Sequence, residues 1–324
     1  MVLLLVLLLL RYNELGLKSP RVRRRFQRQM INNIENKFLD AGIDCFINID
    51  WGRIYLETDK LEDSIRLLQT VFGLTSVSPV LTTTSNLIDI TEATIDFSKT
   101  LLYSDASFAL RTRRTGEHDF TSMSLAEHVG SAILDRFKER ELKVNLTKPE
   151  VEIFIEVRNN RAYIYSETYP GPGGLPLGTQ GKIVSIFNQK YSYLASWLLM
   201  KRGCRIYPVY FGSNAWVKTI TSEQAQEQVT WLNPWAKNLS LKVIGTNSSD
   251  NNKNTASINN YINNKELKYY LQKIHAKGIC FGYQFNDIPD WCFENQTELP
   301  IFFPLIGLDD NYIKRLEEQI KNVE

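Results

Sequence analysis

The chain has 324 residues, 23% of them charged, with a formal net charge of +2. That length allows two or three domains with ample cores, and the near-neutral balance gives no bulk signal of a nucleic-acid partner. Four cysteines without a C-x-x-C pair and three scattered histidines exclude a zinc framework and fit a reduced, cytoplasmic protein.

Val2–Leu10 is an unbroken apolar run. It is shorter than the roughly 20 residues of a membrane-spanning helix. No basic residue precedes it and no small-residue cleavage site follows, as a signal peptide would need. It reads as a buried first strand, which argues against a membrane. Ser19 and Pro20 then open a helix as cap and first-turn residue. Val22, Phe26, Met30, Ile34 and Phe38 recur every fourth residue and give it one apolar face.

The start of this helix is crowded with charge. The segment Arg11–Arg28 counts +6, in an N-terminal half (residues 1–176) that sums to −1. Lys18, Arg21, Arg23, Arg24, Arg25 and Arg28 carry it. Positive charge at a helix N-terminus opposes the macrodipole, so the placement asks for a reason. A phosphate-contacting helix is one, and an ordinary solvated face accounts for the pattern as well.

Ile43–Glu57 alternates around Asp50-Trp51-Gly52-Arg53 and predicts a hairpin. Leu61–Val71 reads as a helix and Val77–Thr83 as a strand, completing a small α+β unit. A second unit begins with a helix over Leu87–Leu101 and a strand over Ser107–Arg113. The polar turn Arg114–Phe120, a helix over Ser124–Phe137 and a hairpin around Asn159-Asn160 follow. Arg111, Arg113 and Arg114, with His118, form a second basic cluster, which Lys138, Arg140, Lys143 and Lys148 extend. The planar guanidinium fork suits phosphate. Tyr169–Gly181, with five glycines and three prolines, marks a domain boundary.

Beyond it, strands and helices alternate: strand Ile183–Phe187, helix Tyr193–Arg202, strand Arg205–Phe211, helix Ala225–Leu239 and strand Leu241–Ile244. Gly245–Asn264, with eight asparagines, reads as a loop. Helix Lys265–Ala276, strands Gly278–Gly282 and Pro300–Ile306, and helix Asp310–Asn322 close the chain. This alternation predicts a parallel sheet covered on both faces.

The first strand-to-helix turn of that region is where a nucleotide fold places glycines, so that backbone N–H groups approach phosphate at a helix N-terminus. Here it reads Asn188-Gln189-Lys190-Tyr191, without a glycine. Lys190 can attract phosphate only as a point charge, and a solvated lysine explains it equally.

Several stretches resemble archaeal tRNA 4-thiouridine synthetases, in the family's order and over nearly the whole chain. R-Y-N-E-L-G-L-K-S-P at Arg11–Pro20 resembles their opening. R-R-T-G-E-H-D-F at Arg113–Phe120, with Val144-Asn145-Leu146, is similar to their THUMP domain. G-G-L-P-L-G-T-Q-G-K at Gly173–Lys182, L-L-M-K-R-G-C at Leu198–Cys204 and P-L-I-G-L-D at Pro304–Asp309 resemble parts of their adenylating domain.

The resemblance implies an α/β multidomain chain. A ferredoxin-like α+β unit (residues 1–80) precedes a THUMP α/β domain (81–170), a linker (171–182) and a parallel-sheet, ATP-pyrophosphatase-like α/β domain (183–324). It implies tRNA as partner, with a sulfur-transfer or tRNA-modification protein as a second candidate. Intact members use ATP and magnesium at an S-G-G-x-D-S loop. That loop aligns here with Phe187, Asn188, Gln189, Lys190, Tyr191 and Ser192, of which only Ser192 matches. A later T-G-E element falls on Phe281-Gly282-Tyr283, where only Gly282 matches.

The expectation is therefore a non-catalytic tRNA-binding protein with no catalytic residue, metal site or cofactor of its own. A tRNA sulfurtransferase, or a subunit of one, with an altered or partner-supplied active site is the alternative. An adenylating enzyme of small molecules comes third.

Overall fold

A computed structural model of the protein describes residues 5–12, 19–50, 52–212, 220–245, 264–288 and 298–322. Lys18, Val2–Leu4, Trp51 and most of the asparagine-rich stretch lie outside these. The chain divides into two compact units, one of residues 1–11, 38–65 and 76–170, the other of 12–37, 66–75 and 171–324.

The first unit is built on a nine-stranded sheet. Its strands are β1 (Val6–Arg11), β2 (Phe46–Asp50), β3 (Arg53–Thr58), β4 (Ser76–Thr84), β5 (Ser107–Thr115), β6 (Lys143–Val144), β7 (Val151–Arg158), β8 (Arg161–Tyr165) and the short β9 (Tyr169–Pro170). The order is β2-β3-β1-β4-β8-β7-β5-β6, with β9 paired to β4. The first four strands have the antiparallel order of a ferredoxin-like sheet. β4 belongs to both halves: residues 76–80 pair with β1 and residues 81–84 with β8. The sequence-based division at residue 80 thus falls inside a continuous strand.

This sheet is strongly curled. β3 and β7 are four strand steps apart, about 19 Å in a flat sheet. Yet Arg53 Nε on β3 lies 3.1 Å from Glu156 Oε1 on β7, and Tyr55 stacks on Tyr163 of β8 at 4.9 Å between centroids. Leu9, Tyr55, Val80, Tyr163 and Tyr165 fill the space enclosed by the curl. Helices α3 (Leu87–Ser98) and α4 (Ser122–Arg136) contribute to the core on the other face, with Phe108, Leu125, Val129, Ile133, Ile153, Ile155 and Ile164. Asn86 and Thr121 cap these helices through their side chains.

The second unit carries a five-stranded, wholly parallel sheet of β10 (Lys182–Ile186), β11 (Arg205–Phe211), β12 (Lys242–Ile244), β13 (Gly278–Phe281) and β14 (Ile301–Phe302). Its order is β12-β11-β10-β13-β14. Helices α5 (Ser192–Lys201), α6 (Ser222–Thr230) and α8 (Asp310–Lys321) build one core with it, and α7 (Lys265–Ile274) builds the other. α6 is shorter than its apolar pattern predicts, because Pro234 cannot continue a helix. The chain turns from Trp231 to Asn238 instead. β14 covers two residues of the predicted seven, and Pro304 stands in the middle of the remainder.

The same unit includes most of α1 (Pro20–Ala41) and the turn after α2 (Leu61–Leu68). Phe72 packs against Trp197 and Trp235 at 5.5 and 5.4 Å between centroids. Lys37 on α1 donates from Nζ to Pro234 O at 2.6 Å and to the Thr70 hydroxyl. Among the described residues no helix is long and apolar enough to cross a membrane, and no group of acidic, histidine and cysteine side chains could hold a metal.

Candidate functional site

Three groups of sequence-predicted residues find defined places. The first is on α1. Arg21, Arg24, Arg25 and Arg28 are spaced i, i+3, i+4, i+7, which puts them on one helix face. All four are exposed. Phe26, Met30 and Ile34, on the opposite face, are fully buried. The stripe spans about 10 Å along the axis, and the first turn of α1 has no acidic residue to offset it. Arg23 is half-buried and points elsewhere. Lys18 lies outside the described residues.

The second group is on β5 and the turn after it. Arg113 and Arg114 are exposed. Arg114 donates to Gly116 O at 3.2 Å. His118 Nε2 lies 2.7 Å from Asn159 O and its ring stacks on Phe120, so it pins the turn to the β7–β8 hairpin. Asn159 N donates to Thr115 O at 3.0 Å, closing the same junction. Lys143 is exposed, 3.6 Å from Asp105. Arg111 differs from its neighbours: its guanidinium is held by Glu152 at 2.8 Å and by Leu146 O at 2.8 Å.

Beside this cluster is a buried ionic knot that the sequence did not announce. Glu156, 5% exposed, is met by Arg158 at 2.7 Å, Arg53 at 3.1 Å and Arg11 at 3.8 Å. Burial alone would raise its pKa; the hydrogen bond from Arg158 and the charges of Arg53 and Arg11 hold it below the ordinary carboxylate value. Arg11 on β1 and Arg53 on β3 are far from β7 in sequence, and the curl of the sheet brings them to Glu156.

The third group is the turn after β10. In the parallel sheet, strand order reverses between β10 and β13, and ligands of such sheets bind outside the carboxyl ends at that point. Phe187, Asn188, Gln189 and Ser192 occupy the position and are buried, while Lys190 is exposed and Tyr191 half-buried. The polar atoms of the turn bond to protein. Asn188 Nδ2 donates to Phe211 O at 3.1 Å and its Oδ1 accepts from Phe211 N at 3.0 Å. Ser192 Oγ donates to Ile186 O at 2.8 Å and accepts from Gln189 N at 3.2 Å. Gln189 Nε2 reaches the Tyr283 hydroxyl at 3.3 Å.

Gln228 on α6 completes this closure, and no motif pointed to it. Its Nε2 donates to Gln189 O and Lys190 O at 3.1 and 2.9 Å, and its Oε1 accepts from Tyr193 N at 3.2 Å. Tyr193 N is in the first turn of α5, where a phosphate would take up such a donor. Gly282, the residue shared with the T-G-E element, is pressed against the turn: a Cβ there would come within 2.5 Å of Ser192 N. Lys190 Nζ bonds to the Tyr191 hydroxyl at 2.9 Å, which raises its pKa.

A ferredoxin-like sheet runs into a THUMP-type α/β layer, and a parallel α/β domain follows in the chain. The THUMP domain family matches residues 84–167 and the ThiI ferredoxin-like domain family residues 7–78. A "Probable tRNA sulfurtransferase" of Methanobrevibacter smithii is 33% identical, covering 97% of this chain and 86% of its own. One from Methanosarcina acetivorans is 32% identical over 96% of this chain and 80% of its own. The chain belongs to the tRNA sulfurtransferase family. Among solved structures, a Pyrococcus horikoshii protein aligns with a TM-score of 0.77 at 27% identity, covering 97% of this chain and 99% of its own. A 4-thiouridine synthetase in complex with RNA and bound ATP has the same fold, with a TM-score of 0.75 at 22% identity over 98% of this chain and 86% of its own.

Proposed function

We propose that this family member binds tRNA and carries out no ATP-dependent adenylation of its own. The observation that supports this most is the closed turn. Asn188, Gln189 and Gln228 fill the switch point of the parallel sheet, and Gln228 takes the α5 backbone donor that a nucleotide phosphate would need. ATP and magnesium do not fit these residues: bulky buried side chains stand where glycines would admit phosphate, and the aspartate is missing.

The tRNA partner rests on the THUMP match, and the solved synthetase–RNA complex lends it support. On this reading the exposed stripe of α1 and the pair Arg113–Arg114 supply phosphate contacts, and His118 holds the turn that presents the pair. The sequence domains are 1–80, 81–170 and 183–324, joined by a linker at 171–182, and the protein works in the cytoplasm.

A second reading, a sulfurtransferase or a subunit of one that borrows its active site from a partner protein, is favoured by the match of 97% of this chain to 86% of a probable tRNA sulfurtransferase. One preparation tests both. Wild type should retain whole tRNA on a filter with an affinity that falls steeply with salt. It should show no saturable ATP heat in calorimetry. Saturable ATP binding, or tRNA-dependent release of pyrophosphate, refutes the non-catalytic reading, and absence of salt-sensitive tRNA binding refutes the RNA reading.

A further inference from the structure

Arg111 stands in a basic cluster, yet its guanidinium is already occupied. Nε and Nη2 bond to Glu152 Oε1 at 2.9 and 2.8 Å, and Nη2 also donates to Leu146 O at 2.8 Å. Leu146 belongs to the loop that leaves β6, in the stretch Lys143-Val144-Asn145-Leu146-Thr147-Lys148. This loop is locked from within. Asn145 Oδ1 accepts from the backbone N–H of Thr147 and Lys148 at 3.2 and 3.0 Å, and its Nδ2 donates to Lys148 O at 2.9 Å. The backbone on either side is tied to β5: Asn145 N donates to Phe108 O, and Glu150 N to Ser107 O, both at 3.0 Å.

The locked loop turns its side chains outward. Leu146 is 65% exposed and Val144 54%, and Lys143 and Lys148 are exposed on either side of them. Lone exposed aliphatic residues are ordinary. A pair held rigid between two lysines, on a loop whose conformation three side chains specify, is a prepared contact surface. Two aliphatic side chains flanked by a lysine at each end suit the sugar–phosphate strand of RNA: ammonium groups meet phosphates and the aliphatic groups lie on ribose.

We infer that Arg111 is a positioning residue that holds this loop against β5, and that Lys143, Val144, Leu146 and Lys148 make the RNA contact. The inference rests on the tRNA-binding reading above. It assigns Arg111 a role opposite to that of Arg113 and Arg114, which touch phosphate directly.

The two roles respond differently to a lysine. A phosphate contact keeps its charge in Arg111→Lys, and affinity and salt dependence stay close to wild type. A positioning fork does not survive, because lysine cannot bond two acceptors in a plane. Filter binding of whole tRNA at four salt concentrations, on variants whose melting temperatures match wild type, decides between them. Leu146→Ala should weaken binding about tenfold, equivalent to roughly 1.4 kcal/mol, with an unchanged slope of log affinity against log salt. Arg111→Lys should lose a similar factor, also with the wild-type slope. The double variant should lose no more than the weaker single variant, because both act through one loop. Lys143→Ala with Lys148→Ala should make the slope shallower by roughly 1.4 to 1.8.

Binding at wild-type strength by Arg111→Lys, or by Leu146→Ala, overturns the inference while leaving the tRNA reading intact. Leu146 is exposed, so its truncation leaves the fold in place and the test stands even if Arg111→Lys is unstable. A wild-type protein that binds no tRNA overturns both.

Discussion

Lys37 offers a quantitative test of how the second unit is held together. Its ammonium end is enclosed and bonds only to neutral acceptors, the Thr70 hydroxyl and Pro234 O. No carboxylate is within ion-pair distance of it among the described residues. Burial therefore lowers its pKa from 10.5 to about 7. In the unfolded chain the lysine keeps its proton up to the ordinary value, while in the folded protein it gives the proton up from about 7 onward. Between those limits the unfolded state binds more protons, so stability rises with pH. Below about 7 both states are charged and the contribution is flat, at its least favourable. Each pH unit inside the window contributes up to about 1.4 kcal/mol. From pH 7.5 to 9.5 wild type should gain roughly 2–3 kcal/mol from this one group. Lys37→Met removes the titration, and its stability should change by that much less over the same interval. Loss of the bond to Pro234 O should cost about 1 kcal/mol at every pH. Urea unfolding followed by tryptophan emission, with Trp235 next in sequence to Pro234, reads the relevant unit. Parallel stability changes in wild type and variant between pH 7.5 and 9.5 would refute the reasoning.

Two other substitutions probe the closed turn and the ionic knot. Gly282→Ala should destabilise the second unit by about 1–3 kcal/mol, since its methyl would stand 2.5 Å from Ser192 N; an unchanged melting temperature would show that the turn can yield. Glu156→Ala leaves three arginines around an uncompensated site and should cost about 3–5 kcal/mol in chemical denaturation; a cost below 1 kcal/mol would mean that the knot adds no stability.

The strands and helices were legible wherever a period showed. The four-residue spacing of Phe26, Met30, Ile34 and Phe38 gave α1 its buried face, and the alternation of Phe108 to Arg113 gave β5. The absence of glycine at Asn188-Gln189 was plain, and the buried carboxamides are its structural counterpart. What could not be read was long-range. Nothing local in Ser76–Thr84 says that one strand serves two half-sheets. Nothing near Gln228 says that its carboxamide closes a turn 38 and 39 residues earlier in the chain. Arg111 and Arg113 look equivalent in sequence, because the partner that separates them, Glu152, arrives from a neighbouring strand. Lys37 reads as an ordinary helix-surface lysine until Pro234 and Thr70 are brought to it.

The interleaving of the two units constrains the order in which the chain can fold as it leaves the ribosome. The polypeptide passes between units after residues 11, 37, 65, 75 and 170. By the time residue 170 has emerged, every segment of the first unit is available and its curled sheet can close. Residues 12–37 and 66–75 are also out by then, and Lys37 can meet Thr70, but Leu177, Trp197, Pro234 and Trp235 are still to come. Phe72, against Trp197 and Trp235, must wait for α5 and its successors. Translation therefore produces a half-finished intermediate with apolar side chains bare, the kind of species that chaperones hold and that aggregates when they do not. It follows that a fragment ending near Gly174 would keep the first unit but leave Phe72 without both tryptophans.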